Sequence, residues 1–174
     1  MKIPFTKKNI IEIKTEPAEK FGKDEGAFDI RIKGGELKKT VDKIFGRSLF
    51  VRLVDSGSCN ACENELSLLA SPYYDIERFG IKFVASPRHA DILLITGCMT
   101  RNMFNPVWNV YNSMPDPKLV ITAGDCQGEN PYFGESYSIM GPAGKWLPVA
   151  MHIKGCPPEP GAIIHSLLEL TKKL

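Results

Sequence analysis

Asp91-Ile92-Leu93-Leu94-Ile95-Thr96-Gly97-Cys98 is a run of four aliphatic residues that closes on a glycine and a thiol. It is too short for a helix and apolar without alternation, so it reads as a strand covered on both faces. The same unit recurs on either side. Ser48-Leu49-Phe50-Val51-Arg52-Leu53-Val54 precedes it, while Lys118-Leu119-Val120-Ile121-Thr122 and Val149-Ala150-Met151-His152-Ile153 follow. Residues 81–84 supply a shorter run fit for a sheet edge. Helical patterns fall at 63–70, 104–114 and 163–173, the second closed by Pro115 and Pro117. In the third, Lys172 and Lys173 suit the negative end of a helix dipole. Strands alternating with helices predict an α/β domain, a doubly wound parallel sheet with right-handed crossovers.

The chain has 174 residues, 43% of them hydrophobic and 24% charged, the size of one compact domain with a sizeable core. A net charge of +2 implies no nucleic-acid groove. No stretch approaches the ~18 apolar residues of a membrane span. The opening MKIPFTKKNIIEIK lacks the pattern of a secretory signal, which predicts a place on the cytoplasmic side. No Walker lysine motif, G-x-G-x-x-G or nucleophile elbow is present to carry nucleotide or acyl-transfer chemistry.

Charge divides unevenly. Residues 1–50 hold 12 Lys and Arg against 8 Asp and Glu, the rest 10 against 12. The first forty residues mix short alternating runs, Ile10–Ile13 and Phe28–Ile32 among them, with Gly22, Gly26, Gly34 and Gly35, which predicts an extended arm or small ribbon. From Glu36, Leu37, Val41, Ile44 and Phe45 share one side of a helix with Lys38, Lys39, Lys43 and Arg47 elsewhere on it. Such a helix either covers the core or docks a membrane-bound partner. Residues 127–147, rich in Gly and Pro, form a long irregular excursion of the kind that is functional or partner-covered.

Five cysteines without an export signal are too few for a disulfide scaffold. In a parallel sheet ligands bind at the carboxyl ends of the strands, and every cysteine falls on that edge. Cys59 and Cys62 follow the first strand, Cys98 the next long one, Cys126 and Cys156 the last two. Three readings compete: an iron-sulfur cluster, a structural zinc, or buried thiols without function. A zinc ribbon brings two C-x-x-C knuckles, whereas C-x2-C-x63-C-x29-C over Cys59, Cys62, Cys126 and Cys156 has one, a spacing suited to a cubane with one thiolate per iron. The spacing favours a metal site, and iron-sulfur over zinc.

Four segments carry a family resemblance: Gly57-Ser58-Cys59-Asn60-Ala61-Cys62-Glu63-Asn64-Glu65, Tyr74-Asp75-Ile76-Glu77-Arg78-Phe79-Gly80, residues 86–97 from Ser86-Pro87-Arg88-His89, and Gly155-Cys156-Pro157-Pro158-Glu159-Pro160. Together they resemble the small iron-sulfur subunit of membrane-bound, energy-converting NiFe hydrogenases, homologous to the cluster-bearing subunit of respiratory complex I beside the quinone. The resemblance covers residues 48–170. It implies a flavodoxin-like domain over 47–174, with residues 1–46 as an N-terminal arm and amphipathic docking helix. It also implies one 4Fe-4S cluster on Cys59, Cys62, Cys126 and Cys156, with Cys98 outside the ligand set. Complex I proteins show two adjacent cysteines in the first loop, so the C-x-x-C here favours hydrogenase. Two departures stand out: Ala61 replaces the usual Gly, and residues 125–131, Asp-Cys-Gln-Gly-Glu-Asn-Pro, replace a small, glycine-rich stretch.

The implied role is electron transfer to a NiFe centre housed in a large catalytic subunit, with electrons from ferredoxin, formate or CO reaching the chain through a polyferredoxin subunit and ending in hydrogen. Membrane-anchor subunits would hold the chain peripherally at the cytoplasmic face. The alternatives are the matching subunit of a complex I-like quinone or sulfur oxidoreductase and, in another class, a zinc-stapled assembly module. No catalytic residue is expected in this chain beyond Glu65, which matches the family's acidic position and is a candidate proton relay. Glu63 reads as a helix-start carboxylate. Arg88 reads either as a loop-fixing hydrogen-bond donor or, placed near the cluster edge, as a charge that raises the cluster potential or fixes a partner carboxylate. His89, His152 and His165 read as structural, and Met99, Met103, Phe104, Trp108 and Tyr111, at helical spacing, as core or subunit packing.

Overall fold

The computed structural model describes residues 27–128 and 136–173, with side chains from Gly34 onward. Among the described residues these helices and strands follow one another: α1 (Ala27–Phe45), β1 (Leu49–Asp55), α2 (Ala61–Leu68), β2 (Ile81–Phe83), β3 (Ile92–Thr96), α3 (Arg101–Ser113), β4 (Leu119–Ala123), β5 (Val149–Ile153) and α4 (Pro160–Lys173). The strands form one sheet in the order β2-β1-β3-β4-β5, every neighbouring pair parallel. This is the flavodoxin-like winding, reversing direction between β1 and β3. The α/β class, the five strands and the doubly wound order agree with the sequence reading.

Every residue of β3 and β4 is buried, as unalternating aliphatic runs require at the centre of a parallel sheet. One face packs Leu49, Val51, Leu94 and Ile121 against α1, α2 and α4, and the other packs Val54, Leu93, Ile95 and Val120 against α3. Each fully buried aliphatic side chain contributes roughly 1.5–3 kcal/mol relative to exposure.

The amino-terminal helix departs from expectation. It begins at Ala27 and takes in residues 28–32, which alternation had assigned to an extended run. Glycine costs about 1 kcal/mol in a helix interior, so Gly34-Gly35 reads locally as a break. Packing overrides that preference. A Cβ on Gly34 would lie 2.2 Å from the Phe79 ring, so the missing side chain is what lets α1 lie against the turn Ile76–Phe79. Leu37 and Val41, wholly buried, join the core shared with α4. The helix therefore covers the core with its apolar side, and Lys38, Lys39 and Lys43 stay exposed. The expected arm over residues 1–26 lies outside the described residues.

The described part of the long excursion is laid down on the loop after β3. Met99 N–H donates to the Gly141 carbonyl, Met140 N–H to Met99, and Arg101 N–H to Ser138. Ala143 and Leu147 are buried in the second core face. Outside these anchors the surface stays aromatic: Phe104 stacks on Trp108 and meets Trp146 edge-on, and Trp108, Trp146 and Tyr137 are exposed.

At the amino edge of the sheet, Arg47 grips Asp91 with two hydrogen bonds, 2.9 and 2.7 Å, while Phe50 N–H donates to the same carboxylate at 3.0 Å. This clamp fixes the turn between α1 and β1 to the start of β3.

Candidate metal centre

The first cysteine loop is shaped by its own side chains. Asp55, at the end of β1, accepts from the N–H groups of Gly57 and Ser58 at 2.7 and 2.6 Å, an Asx-type turn that reverses the chain. Ser58 Oγ then accepts from Asn60 N–H, and Asn60, in the left-handed region at φ 69°, opens α2. Cys59 is exposed on this loop and Cys62 is buried in the first turn of α2.

Beyond β4, Gly124 passes directly beneath Cys62. A Cβ at Gly124 would stand 2.7 Å from Cys62 Sγ, and at φ +96° the backbone is one that only glycine takes readily. The turn Asp125–Gln127 carries the buried Cys126. Asp125 ties it to the last loop: its N–H donates to the Gly155 carbonyl at 3.0 Å and its carboxylate accepts from Gly155 N–H at 2.8 Å. Cys156 follows, exposed.

The thiols along this edge, Cys98 among them, lie close enough to bear on one another's charge. Burial pushes Cys62 up to about 12, with Glu63, Cys126, Cys59 and Cys156 adding to the rise. Burial also raises Cys126, reinforced by Cys156, Cys98 and Cys59, whereas the backbone amide of Cys126 itself lowers it. Metal binding requires thiolates, so a cation at this edge would have to displace the protons of Cys62 and Cys126. Among the described residues, no group of three or more His, Cys, Asp or Glu is gathered in the geometry of a single ion. The fit of the chain to an iron-sulfur group rests instead on three observations. Four thiols arise from three strand ends, the Gly124 cradle leaves room at Cys62 Sγ, and Asp125 holds the turn of Cys126 against the loop of Cys156.

Cys98 also bears on Cys126. It is buried under the first loop with its thiol donating to the Gly57 carbonyl at 3.7 Å, and burial raises its pKa. The carboxylate that bears on Cys62 is Glu63, held by a hydrogen bond from Thr96 Oγ1, so its side chain reaches across to β3 and does more than begin a helix. Glu65 is half-buried and bears on Tyr74, together with Glu159. Arg88 needs correction. It lies exposed in the turn Pro87–His89 before β3, at the amino edge of a sheet whose thiols sit at the carboxyl edge. Sequence proximity to the strand was mistaken for proximity to its functional end. His152 pairs with Thr122 Oγ1 across β4 and β5 at 3.0 Å, and burial lowers its pKa, as befits a structural histidine.

Sequence reasoning missed the polar network beneath the loops. Ser56 is fully buried, its hydroxyl shared between the carbonyls of Thr96 (2.8 Å) and Gly97 (3.0 Å), and its own carbonyl accepts from Thr100 Oγ1. Gln127, also buried, donates from Nε2 to the Gly97 carbonyl and to Ser56 Oγ at 3.3 Å, and accepts from Ala143 N–H at 2.6 Å. The only signal available was negative, a bulky amide in a stretch expected to be small.

A flavodoxin-like sheet thus presents its thiols along the carboxyl edge. The chain belongs to the family described as NADH ubiquinone oxidoreductase, 20 Kd subunit, which matches residues 59–170. It is 46% identical over 132 residues to the probable membrane-bound hydrogenase subunit mbhJ of Pyrococcus furiosus, covering 76% of this chain and 79% of that protein. It is also 46% identical over 129 residues to formate hydrogenlyase subunit 7 of Escherichia coli, covering 74% of this chain and 51% of that one. Among solved structures, the membrane-bound sulfane sulfur reductase, an archaeal respiratory membrane complex, matches with a TM-score of 0.64 and 32% identity over 72% of this chain and 70% of that chain. The relatives are subunits of multi-subunit oxidoreductases. Among the described residues no helix is long and apolar enough to cross a membrane.

Proposed function

We propose that the chain is the electron-transfer small subunit of a membrane-bound NiFe hydrogenase, holding one 4Fe-4S cluster on Cys59, Cys62, Cys126 and Cys156 next to the NiFe centre of a large catalytic subunit. The observation that supports this is the rise of four thiols from three neighbouring strand ends at one edge of the sheet, with Gly124 cleared beneath Cys62. When bound, the cluster supplies one-electron transfer. The chain's own residues orient it: Asp55 shapes the loop of Cys59 and Cys62, and Asp125 locks the loop of Cys126 to that of Cys156. Glu65 remains the candidate proton relay, and Glu65→Gln should slow turnover without loss of iron.

The C-x-x-C spacing and the identity to a membrane-bound hydrogenase subunit and a formate hydrogenlyase subunit support hydrogenase. A complex I-like quinone or sulfur oxidoreductase is the second reading, supported by the family and by the sulfane sulfur reductase. The exposed Trp108, Trp146 and Tyr137 suit burial against the large subunit. Lys38, Lys39 and Lys43 on α1 suit a membrane-anchor subunit at the cytoplasmic face, and a polyferredoxin subunit would deliver electrons. Because Leu37 and Val41 belong to the core, the docking role falls to the basic side of α1 alone. Reversing those three charges should weaken retention in the membrane complex and leave the cluster in place.

The decisive experiment is anaerobic purification of the complex with iron and sulfide analysis. About four of each per chain is expected, lost on Cys→Ser substitution at any of the four positions and kept in Cys98→Ser. Zinc without sulfide would overturn the reading in favour of a zinc-stapled assembly module.

A further inference from the structure

Gln127 follows Cys126 directly, and its buried side chain joins three segments that the sheet alone does not connect. Its amide N–H groups reach the Gly97 carbonyl after β3 and the Ser56 hydroxyl after β1, and its carbonyl takes the N–H of Ala143 in the excursion. A buried amide is costly unless every polar group is used, so the network holds as a unit or loosens as a unit. Its neighbour Asp125 ties the same turn to Gly155. The turn carrying Cys126 is thereby clamped on one side to the loop of Cys156 and on the other to the loop of Cys59 and Cys62.

We propose that Gln127 is a positioning residue for the metal centre: it fixes the Cys126 turn against the loops after β1 and β3, and so sets both the retention of the cluster and its reduction potential. This rests on the proposed ligand set. The physical link runs through the backbone. A backbone N–H of a ligand turn that donates to a cluster sulfur stabilises the more negative, reduced state. A turn freed from Gln127 no longer holds that donor in place, and the potential falls. A bulky amide thus stands where the resembled family keeps small residues because it fills the space between three loops and bonds to each.

The test compares Gln127→Leu, Gln127→Glu and, as a control that weakens the core away from the site, Leu167→Ala in α4. Each is purified within the membrane complex. Gln127→Leu should give a more negative midpoint potential in redox-titrated EPR, altered g-values, and iron release to a chelator roughly ten-fold faster. Gln127→Glu keeps the acceptor for Ala143 but sets a carboxylate oxygen against the Gly97 carbonyl, and should move the potential the same way. Loss of the cluster from both variants while Leu167→Ala stays loaded also supports the proposal. Wild-type potential and EPR in both variants, or an equal shift in Leu167→Ala, overturns it. A full cluster in Cys126→Ser would instead defeat the ligand reading on which it stands.

Discussion

Gly124 lies so close under Cys62 that a Cβ added to it would stand 2.7 Å from the sulfur. Two strand ends meet at this contact, one through a backbone and the other through a thiol. Gly124→Ala should therefore harm the site more than the fold. The left-handed backbone costs about 1–3 kcal/mol, a loss a domain of this size tolerates, while Cys62 Sγ is forced from its place. Circular dichroism should stay native as iron and sulfide content falls. An unchanged iron content would count against Cys62 as a ligand.

A neighbouring pair of glycines should answer with opposite signs. A Cβ on Gly35 meets nothing within 4 Å, so Gly35→Ala should stabilise by about 0.5–1 kcal/mol through helix propensity. The same change at Gly34 drives a methyl into the buried Phe79 ring and should cost about 1–3 kcal/mol. Denaturant midpoints read both, and combining Gly34→Ala with Phe79→Leu should recover part of the loss.

The buried thiol makes the cluster-free chain sensitive to alkali. Cys62 is raised from 9.0 to about 12 by burial and then by Glu63 and the other thiols, so the unfolded chain gives up this proton first. Stability should be full below about pH 9 and decline as pH climbs toward 12. Cys62→Ala should flatten the decline. Near neutral pH, iodoacetamide should label the exposed Cys59 and Cys156 well before Cys62, read by peptide mass spectrometry.

Asp91 should matter more than its partner. Arg47→Ala removes a half-exposed arm of an ion pair and should cost about 0.2–1 kcal/mol, less in high salt. Asp91→Ala also strands the N–H of Phe50 and should cost about 1–3 kcal/mol with little dependence on salt. Equal losses in the two variants would mean that the Phe50 contact contributes nothing.

Much of the fold could be read from the aliphatic runs because β3 and β4 are buried throughout, and burial on both faces leaves a pattern that no loop shares. The start of α1 could not. Its Gly34 acts through contact with Phe79, a residue 45 positions away, and local propensity carries no record of such a contact. At the site, the thiols announced themselves by type and spacing. Gln127, Ser56 and Thr96 did not, since a buried amide or hydroxyl shows its use only when the loops it joins are side by side. Arg88 misled for the opposite reason, being next to the correct strand but at its wrong end.

The short strand β3 has Asp91 and its clamp at one end and Gly97, with the polar knot of Ser56 and Gln127, at the other. Between them stand five wholly buried residues that offer no polar group for either end to pull on except Thr96. The strand acts as an insulating spacer. Changes at the Arg47–Asp91 end should add to changes at the thiol end without coupling, as distant sites without shared partners do. The domain can then drift in stability at one rim while the rim that carries the thiols keeps its setting.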